Sequence, residues 1–150
     1  MKKNHNLILC GTMFFSLFVF PLSIQAQEKN DSTIQLKKFT IDNCVSEFSM
    51  DNTIKTAAGY QFWFADKDFL DGRTLKMSVV APHLATHPPH KHAEDEFFFV
   101  LEGTAEFYLD GKTKVARPYT SFYCPPNVPH GIRNVGDTEL RYLVIKKYNK

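Results

Sequence analysis

The length, composition and charge of the chain limit what it can be. Its 150 residues include 18 basic and 16 acidic side chains, which give a formal net charge of +2. This length suits one domain with a single core and, once an N-terminal signal is removed, is too short for two. The lysines are scattered along the chain, so we expect no nucleic-acid partner, because phosphate binding needs a clustered basic surface.

The first 26 residues predict a secretory signal peptide. Lys2 and Lys3 precede the apolar run LILCGTMFFSLFVFPLSI, and Ala26 provides the small residue before the cleavage site. We predict cleavage after Ala26 and a periplasmic or secreted protein with no further membrane contact. An uncleaved anchor is the alternative, and Pro21 and the missing basic flank argue against it. Cys10 precedes most of the run, which argues against a lipid anchor.

After a flexible lead at residues 27–33, the sequence predicts an all-β domain over residues 34–150. Apolar residues alternate, and no segment has a sustained helical period. The pair Asp110-Gly111 predicts a two-residue hairpin turn, because both residues tolerate positive φ. Many short strands with such turns favour a sandwich or a jelly-roll barrel. The candidate strands are residues 34–41, 60–64, 74–81, 96–101, 104–109, 112–116, 120–124, 130–134 and 140–148.

The candidate strand at residues 96–101 is apolar on both faces. Phe98 and Val100 point to one side, while Phe97, Phe99 and Leu101 point to the other. A strand with one solvated face would not carry this pattern, so its outer face must be covered by the amino-terminal strand or by a second subunit. We favour the second subunit and therefore predict a homodimer.

Two cysteines remain after the predicted cleavage site. In an oxidising compartment Cys44 and Cys124 can form a disulfide, provided that their α-carbons lie close enough. Alternatively, Cys124 is a small buried thiol, or it faces a functional site, since it lies six residues before His130. The sequence leaves these alternatives open.

Four of the five histidines that follow residue 26 lie close together, with a glutamate just behind them. In an extended strand, side chains two residues apart share a face, so His90 and His92 can present two imidazoles side by side. If residues 93–95 make a tight turn, Glu96 opens the returning strand and brings a carboxylate to the same ion. A fourth ligand must come from elsewhere, and His130 fits because it begins a short strand after the turn CPPNVP.

This ligand set predicts one divalent transition metal. Three imidazoles and one carboxylate suit manganese, iron, cobalt, nickel, copper or zinc, whereas magnesium and calcium prefer all-oxygen sites. Four protein ligands leave open positions on an octahedral ion for water, dioxygen or a bidentate substrate. Taken singly, His83 and His87 are more typical of surface or hydrogen-bonded core residues.

Two segments resemble the motifs of the cupin superfamily. HPPHKHAEDEFFFVLEG is similar to the first motif, in which HxH is followed by a glutamate, an apolar strand and a glycine. YCPPNVPHGIRN is similar to the second, and the resemblance covers roughly residues 81–145. It is closest in kind to small single-domain cupins related to the halves of quercetin dioxygenase-like proteins. The resemblance implies a double-stranded β-helix, or jelly-roll barrel, with His90, His92, Glu96 and His130 as metal ligands.

Three positions depart from that family pattern. Leu84, Tyr119 and Asn127 stand where glycine is often found. Asparagine tolerates the left-handed backbone conformation that such a turn demands. Leu84 and Tyr119 predict different loop entries at the mouth of the barrel, without affecting the ligands.

Two functions are compatible with this site. The first is a metalloenzyme, an isomerase, lyase or dioxygenase, that acts on a small carbohydrate, a uronic acid or a flavonoid-like enediol. His87, Tyr60 and Lys76 are its candidate proton-transfer groups, although Tyr60 and Lys76 are also typical of ordinary strand positions. The second is a non-catalytic module that grips a sugar or another small ligand through the metal; a metal carrier is a weaker third alternative. Convergent acid or base groups in the barrel favour catalysis, and an apolar lining favours binding alone.

Overall fold

The computed structural model describes residues 39–149 of the chain. The predicted signal peptide, the lead at residues 27–33 and the start of the candidate strand at 34–41 lie outside these residues. Within them, one α-helical turn (α1, Ile41–Cys44) and one 3-10 turn (Met50–Asn52) precede nine strands. The strands are β1 (Ile54–Thr56), β2 (Gly59–Leu70), β3 (Arg73–Val80), β4 (Glu96–Glu102), β5 (Ala105–Leu109), β6 (Lys112–Ala116), β7 (Ser121–Cys124), β8 (His130–Asn134) and β9 (Leu140–Lys147).

The strands form two antiparallel sheets that share a core. The larger sheet has the strand order β1-β2-β3-β9-β4-β7, and the smaller has the order β6-β5-β8. The rings of Phe107, on the smaller sheet, and Phe122, on the larger, stack with their centroids 4.6 Å apart. The two sheets therefore pack face to face, and the predicted all-β jelly-roll barrel is confirmed. No helix in residues 39–149 is long and apolar enough to cross a membrane.

Eight of the nine candidate strands are present, with small differences at their ends. The largest difference is in β2, which continues to Leu70 instead of ending at residue 64. Its second half pairs with β3 through register shifts after Trp63 and after Ala65. The polar residues 66–68 in this half interrupt the alternation of apolar and polar residues, so the sequence did not predict a strand there. The short edge strand β1 was not predicted.

The candidate strand at residues 34–41 is wrong in its described part, because Ile41 begins a helical turn. The Asn43 backbone N–H donates to the Thr40 hydroxyl, and the Thr40 backbone N–H donates to the Asn43 side chain at 3.0 Å. These reciprocal bonds form a capping box, which starts a helix whatever the apolar alternation around it.

Turn chemistry accounts for the left-handed residues. Asp110 and Gly111 have φ angles of 44° and 82°, which confirms the predicted hairpin between β5 and β6. Asn127 and Tyr119, at two of the positions where glycine was expected, have φ angles of 60° and 65°. Gly103 follows β4 with a φ of 85°, and a Cβ there would lie 2.5 Å from the Glu139 carbonyl oxygen, so only glycine fits.

Alternation along the strands divides the larger sheet into an inner and an outer face. The inner face carries the main core, which includes the fully buried Val100 and Leu140. The outer face carries a second apolar cluster formed by Phe62, Met77 and Val79. Leu101 packs against this second cluster, and Phe48 adds an edge-on ring contact with a centroid distance of 5.2 Å to Phe62.

The outer face of β4 is thus covered at one end only. Leu101 is covered by the second cluster, whereas Phe97 is 44% exposed within the described residues. Phe97 lies beside Tyr123 and Ile145, which are exposed to a similar degree. The expectation that a whole apolar face would be buried holds for Leu101 and not for Phe97, and the homodimer stays a prediction.

Both cysteines of the described region are free thiols, so the disulfide alternative is not realised in the structure. Cys44 ends the exposed turn α1, whereas Cys124 is fully buried on β7 as part of the main core. This placement of Cys124 matches the alternative of a small buried thiol. Burial also raises the pKa of the Cys124 thiol, with a further contribution from the Glu96 carboxylate.

Candidate metal centre

Backbone hydrogen bonds bring the two motifs together. His90 and His130 exchange both backbone N–H···O bonds, at 3.0 and 2.9 Å, and form an isolated antiparallel bridge. The Asn127 N–H donates to the His92 carbonyl oxygen at 2.7 Å. The extended strand expected at residues 90–92 is therefore reduced to one bridge, followed by a bend at residues 93–94 and then by β4, which Glu96 opens.

The four predicted ligands meet inside the barrel. The ligand atoms of His90, His92, Glu96 and His130 all lie within 4.8 Å of one another. The Glu96 Oε1 atom is 3.1 Å from His130 Nε2 and 3.5 Å from His92 Nε2. His130 and Glu96 are buried, whereas His90 and His92 are partly exposed, so the cluster is open on the side of the paired histidines.

The surrounding backbone fixes the tautomers of two of these imidazoles. His92 Nδ1 lies 2.6 Å from the Glu94 carbonyl oxygen, and His130 Nδ1 lies 2.7 Å from the Val128 carbonyl oxygen. A carbonyl oxygen only accepts hydrogen bonds, so both Nδ1 atoms must carry the proton. In the neutral imidazoles, both Nε2 atoms then present lone pairs toward Glu96.

A cation between these nitrogen and oxygen atoms makes their arrangement favourable, whereas neutral imidazoles alone leave it repulsive. Two nitrogen lone pairs facing a carboxylate oxygen repel one another unless a positive charge lies between them. Two buried ligand-side nitrogens, His92 Nε2 and His90 Nδ1, have no hydrogen-bond partner in the described structure. The donor set of imidazole nitrogens and one carboxylate oxygen is typical of divalent transition metals. The residues therefore fit a metal ion.

Electrostatics keeps His90 in the form that binds a metal. Burial lowers the pKa of His90, and the neighbouring His87, His130 and His92 lower it further, while Glu96 raises it. A lowered pKa keeps the imidazole neutral at neutral pH, and only the neutral ring offers a lone pair.

A cavity of about 110 Å³ lies beside the ligands, inside the barrel. His90, His92 and Glu96 form part of its wall, and the strands β3 and β9 contribute two further polar side chains each. These further polar lining groups are Lys76, Ser78, Thr86, His87, Tyr142, Lys146 and Tyr148. The lining is therefore rich in hydroxyl and ammonium groups as well as apolar side chains.

Tyr142 and Lys76 are held close to the ligands. The Tyr142 hydroxyl is hydrogen-bonded to the side chains of Thr86 and Ser78, and burial raises its pKa, so it stays protonated. Burial lowers the pKa of Lys76, while the Glu96 carboxylate raises it and the Lys146 ammonium lowers it. The Lys76 ammonium also lies 5.0 Å from the centre of the Trp63 ring.

The structure places the three candidate proton-transfer residues differently. Lys76 and His87 line the cavity, and the His87 ring meets the His90 ring edge-on with centroids 4.3 Å apart. Tyr60 packs against the second apolar cluster on the outer face of the sheet, so the structure does not bring it to the cavity. Strand alternation explains the difference, because residue 60 pairs with Val79 on the outer face.

Sequence reasoning missed Tyr142 and Lys146. Both lie on β9, whose inward positions are residues 140, 142, 144 and 146. Counting in steps of two from the fully buried Leu140 would have found them, since β9 alternates regularly between buried and more exposed positions. A lysine at the end of such a series looks like a solvated strand end, and here it is buried.

An antiparallel barrel with three imidazoles and one carboxylate converging in its interior defines a class of small β-barrel proteins whose interior could hold a metal ion. Within that class, residues 76–146 match the family model of the cupin domain. Residues 76–146 therefore form a cupin domain, and the resemblance inferred from the two motifs is confirmed.

One curated relative and two solved structures show what the chain is similar to. The H2HPP isomerase of Bacillus subtilis is 36% identical over 72 residues, which cover 47% of this chain and 30% of that protein. A Cupin 2 conserved barrel domain protein from Salinispora arenicola superimposes with a TM-score of 0.59 at 19% identity, covering 69% of this chain and 87% of that one. A predicted oxalate decarboxylase from Thermotoga maritima has a TM-score of 0.56 at 20% identity, covering 60% and 80%. The chain spans under half the length of the curated relatives it matches.

Proposed function

We propose that the chain is an exported, metal-dependent enzyme that acts on a small oxygen-rich substrate, namely a sugar, a uronate or an enediol. Its cofactor is one divalent transition metal, and its reaction is that of an isomerase, a lyase or a dioxygenase. The composition of the cavity wall supports catalysis over binding alone, because ammonium, hydroxyl and imidazole groups face the space beside the ligands. An apolar wall would have favoured the non-catalytic module.

The chain supplies groups that can orient a substrate and exchange protons with it. When bound, the divalent ion would polarise a substrate oxygen. Lys76 is the candidate proton-transfer group, because its ammonium faces the cavity and burial lowers its pKa below the ordinary lysine value, which makes it a better proton donor. Tyr142, protonated and held by Thr86 and Ser78, is a hydrogen-bond donor that fixes the orientation of a substrate oxygen.

The matched relatives are consistent with this proposal. The Bacillus subtilis protein that shares 36% identity over 72 residues is described as an isomerase. The segment that matches this chain is less than a third of that protein, so we do not assign that protein's substrate to this chain. It supports isomerisation as the first reaction to test.

Metal analysis and a substrate panel together test the proposal. We expect one divalent transition metal for each purified chain, and a product in nuclear magnetic resonance spectra after incubation with sugars, uronates or enediols. Dioxygen uptake, measured in parallel, separates a dioxygenase from an isomerase or lyase. His130→Ala should lose both metal and turnover, because it removes the most buried ligand.

His83→Ala is the matched control, since its imidazole is exposed and contacts Asp137 instead of the cluster. It should keep metal and turnover. Metal-loaded protein that binds members of the panel without converting them would establish the non-catalytic module instead. Full metal content in His130→Ala would overturn the ligand assignment.

Export is tested independently of the chemistry. Expression of the full chain should give a mature protein in the periplasm or the medium whose N-terminal residue is Gln27. An intact N-terminus on a membrane-bound protein would favour the uncleaved anchor.

A further inference from the structure

Two lysines face the cavity from adjacent strands of the larger sheet. Lys76 lies on β3 and Lys146 on β9, and both line the cavity together with three of the four metal ligands. In the register of this pair, Lys76 is opposite Val144 and Lys146 is opposite Thr74. The two lysines are therefore diagonal neighbours on the same face, about 7–8 Å apart at their α-carbons.

Lysine at such positions calls for an explanation. Lys146 has only 8% of its surface exposed, and burying an ammonium is costly unless an anion compensates it. Lys146 Nζ forms an ion pair with Glu94 Oε2 at 3.8 Å, a distance too long for a hydrogen bond, so this partner compensates the ammonium only in part. Lys76 is flanked by the Trp63 ring, whose face attracts a cation without neutralising it.

The formal charges around the cavity indicate which ligand charge it favours. Lys76 and Lys146 contribute two positive charges, and Glu94 and Glu96 contribute two negative ones, so the formal sum is zero. A divalent ion bound to Glu96 and the neutral imidazoles raises the sum to +2. The metal-loaded pocket therefore favours an anion over a neutral ligand, and a dianion most of all.

The size of the cavity limits the ligand further. A volume of about 110 Å³ corresponds to roughly three or four water molecules at about 30 Å³ each. A molecule with a few carbon atoms and several oxygens fits this space, if part of it extends toward the open side at His90 and His92. A large sugar chain or a flavonoid does not fit it without the cavity opening.

We propose that Lys76 and Lys146 form an anion-binding subsite beside the metal, so that the substrate is a small carboxylic acid. One end of the acid would coordinate the metal through oxygen, and its carboxylate would lie between the two ammonium groups. This inference rests on the proposed function and narrows it, since it selects small hydroxy or oxo acids over neutral sugars and enediols.

The test measures binding of a simple dianion to metal-loaded protein. Malonate is titrated calorimetrically into protein reconstituted with Mn²⁺, and malonamide, its neutral diamide, is titrated in parallel. Lys76→Met and Lys146→Met should each weaken malonate binding at least tenfold, because each removes a charge-assisted hydrogen bond. Binding of malonamide should be weaker in the parent protein and should change less than twofold in the variants.

Lys147→Met is the matched control. Lys147 neighbours Lys146 on β9 but is exposed on the outer face, so its removal changes the net charge equally without touching the cavity. Its malonate affinity should stay within twofold of the parent. If Lys146→Met does not fold, Lys76→Met decides the matter, and Lys146→Arg, which keeps the buried charge, should retain malonate binding.

The outcomes separate this inference from the proposed function. Unchanged malonate affinity in Lys76→Met and Lys146→Met, with full manganese content, would overturn the anion subsite and leave the metal site intact. An equal loss in Lys147→Met would show that only net charge matters, and would overturn it as well. A parent protein that takes up no manganese would instead refute the metal site.

Discussion

Removal of one buried imidazole should abolish the contribution of the metal to stability. His130 is the best test because it is fully buried and its Nε2 atom faces Glu96. Metal that binds only the folded state stabilises it by about 2.7 kcal/mol at one hundred times the Kd and about 4.1 kcal/mol at one thousand times. At roughly 4 °C for each kcal/mol in a domain near 100 residues, this raises Tm by about 11–16 °C.

The assay is the difference in Tm between metal-loaded and chelator-treated protein, measured for each variant. Truncating a buried residue lowers Tm by itself, and the difference cancels that cost. The parent protein and His83→Ala should both show the full increase, while His130→Ala should show less than about 3 °C by the same scaling. Metal content is measured on the same samples.

The reasoning fails if His130→Ala keeps the full metal-dependent increase. It also fails if neither the parent nor His83→Ala gains stability from any of the six metals, because the convergent lone pairs then need no cation. An increase that is lost in His83→Ala would place the metal at the exposed pair His83 and Asp137 instead of inside the barrel.

Other side chains give measurable outcomes of their own. Tyr119→Gly should raise the free energy of unfolding in urea by about 1 kcal/mol, because Tyr119 is 82% exposed and strained at a φ of 65°; a decrease would contradict this. In the native protein, iodoacetamide should label Cys44 at once and Cys124 only after unfolding, since Cys124 is buried and its pKa is raised; equal rates would disprove the placement. Because the pKa of His90 is lowered in the fold, the unfolded chain binds more protons in acid. The metal-free protein should therefore lose stability as the pH falls below about 6.5 and through the lowered pKa, and greater stability at pH 5.5 than at 7.5 would refute that sign.

The candidate metal ligands could be predicted because their chemistry lies in residue type and spacing. His90, His92 and Glu96 are close in the sequence, and the turn before His130 indicated that a second segment could bring a fourth ligand to them. The route by which they meet was only partly foreseen. An extended strand was expected at His90 and His92, whereas one antiparallel bridge to His130 is enough to align them.

The jelly-roll class was predictable for a related reason, since strand alternation and the Asp110-Gly111 turn are local signals. The amino-terminal error was also local. Alternating apolar residues favoured a strand at residues 34–41, while the capping box between Thr40 and Asn43 favoured a helical turn, and the specific hydrogen bonds prevailed. Tyr60 was misplaced because the phase of a strand relative to the barrel interior depends on its partners in the sheet.

No sequence pattern could have predicted the hydrogen bonds that backbone groups make at the site. The carbonyl oxygens of Glu94 and Val128 fix the tautomers of His92 and His130, and every residue at those positions would carry the same oxygen. The preference for a cation therefore depends on the path of the chain, through the bridge segment, β4 and β8. The lysines that would select the ligand lie on other strands, β3 and β9. Their effect on the ligand would depend on the identity of the side chain and not on the path of the backbone. In the proposed function, metal binding and ligand selection thus belong to separate parts of the barrel. Substitutions on β3 and β9 should then change what binds beside the ion without changing how the ion is held.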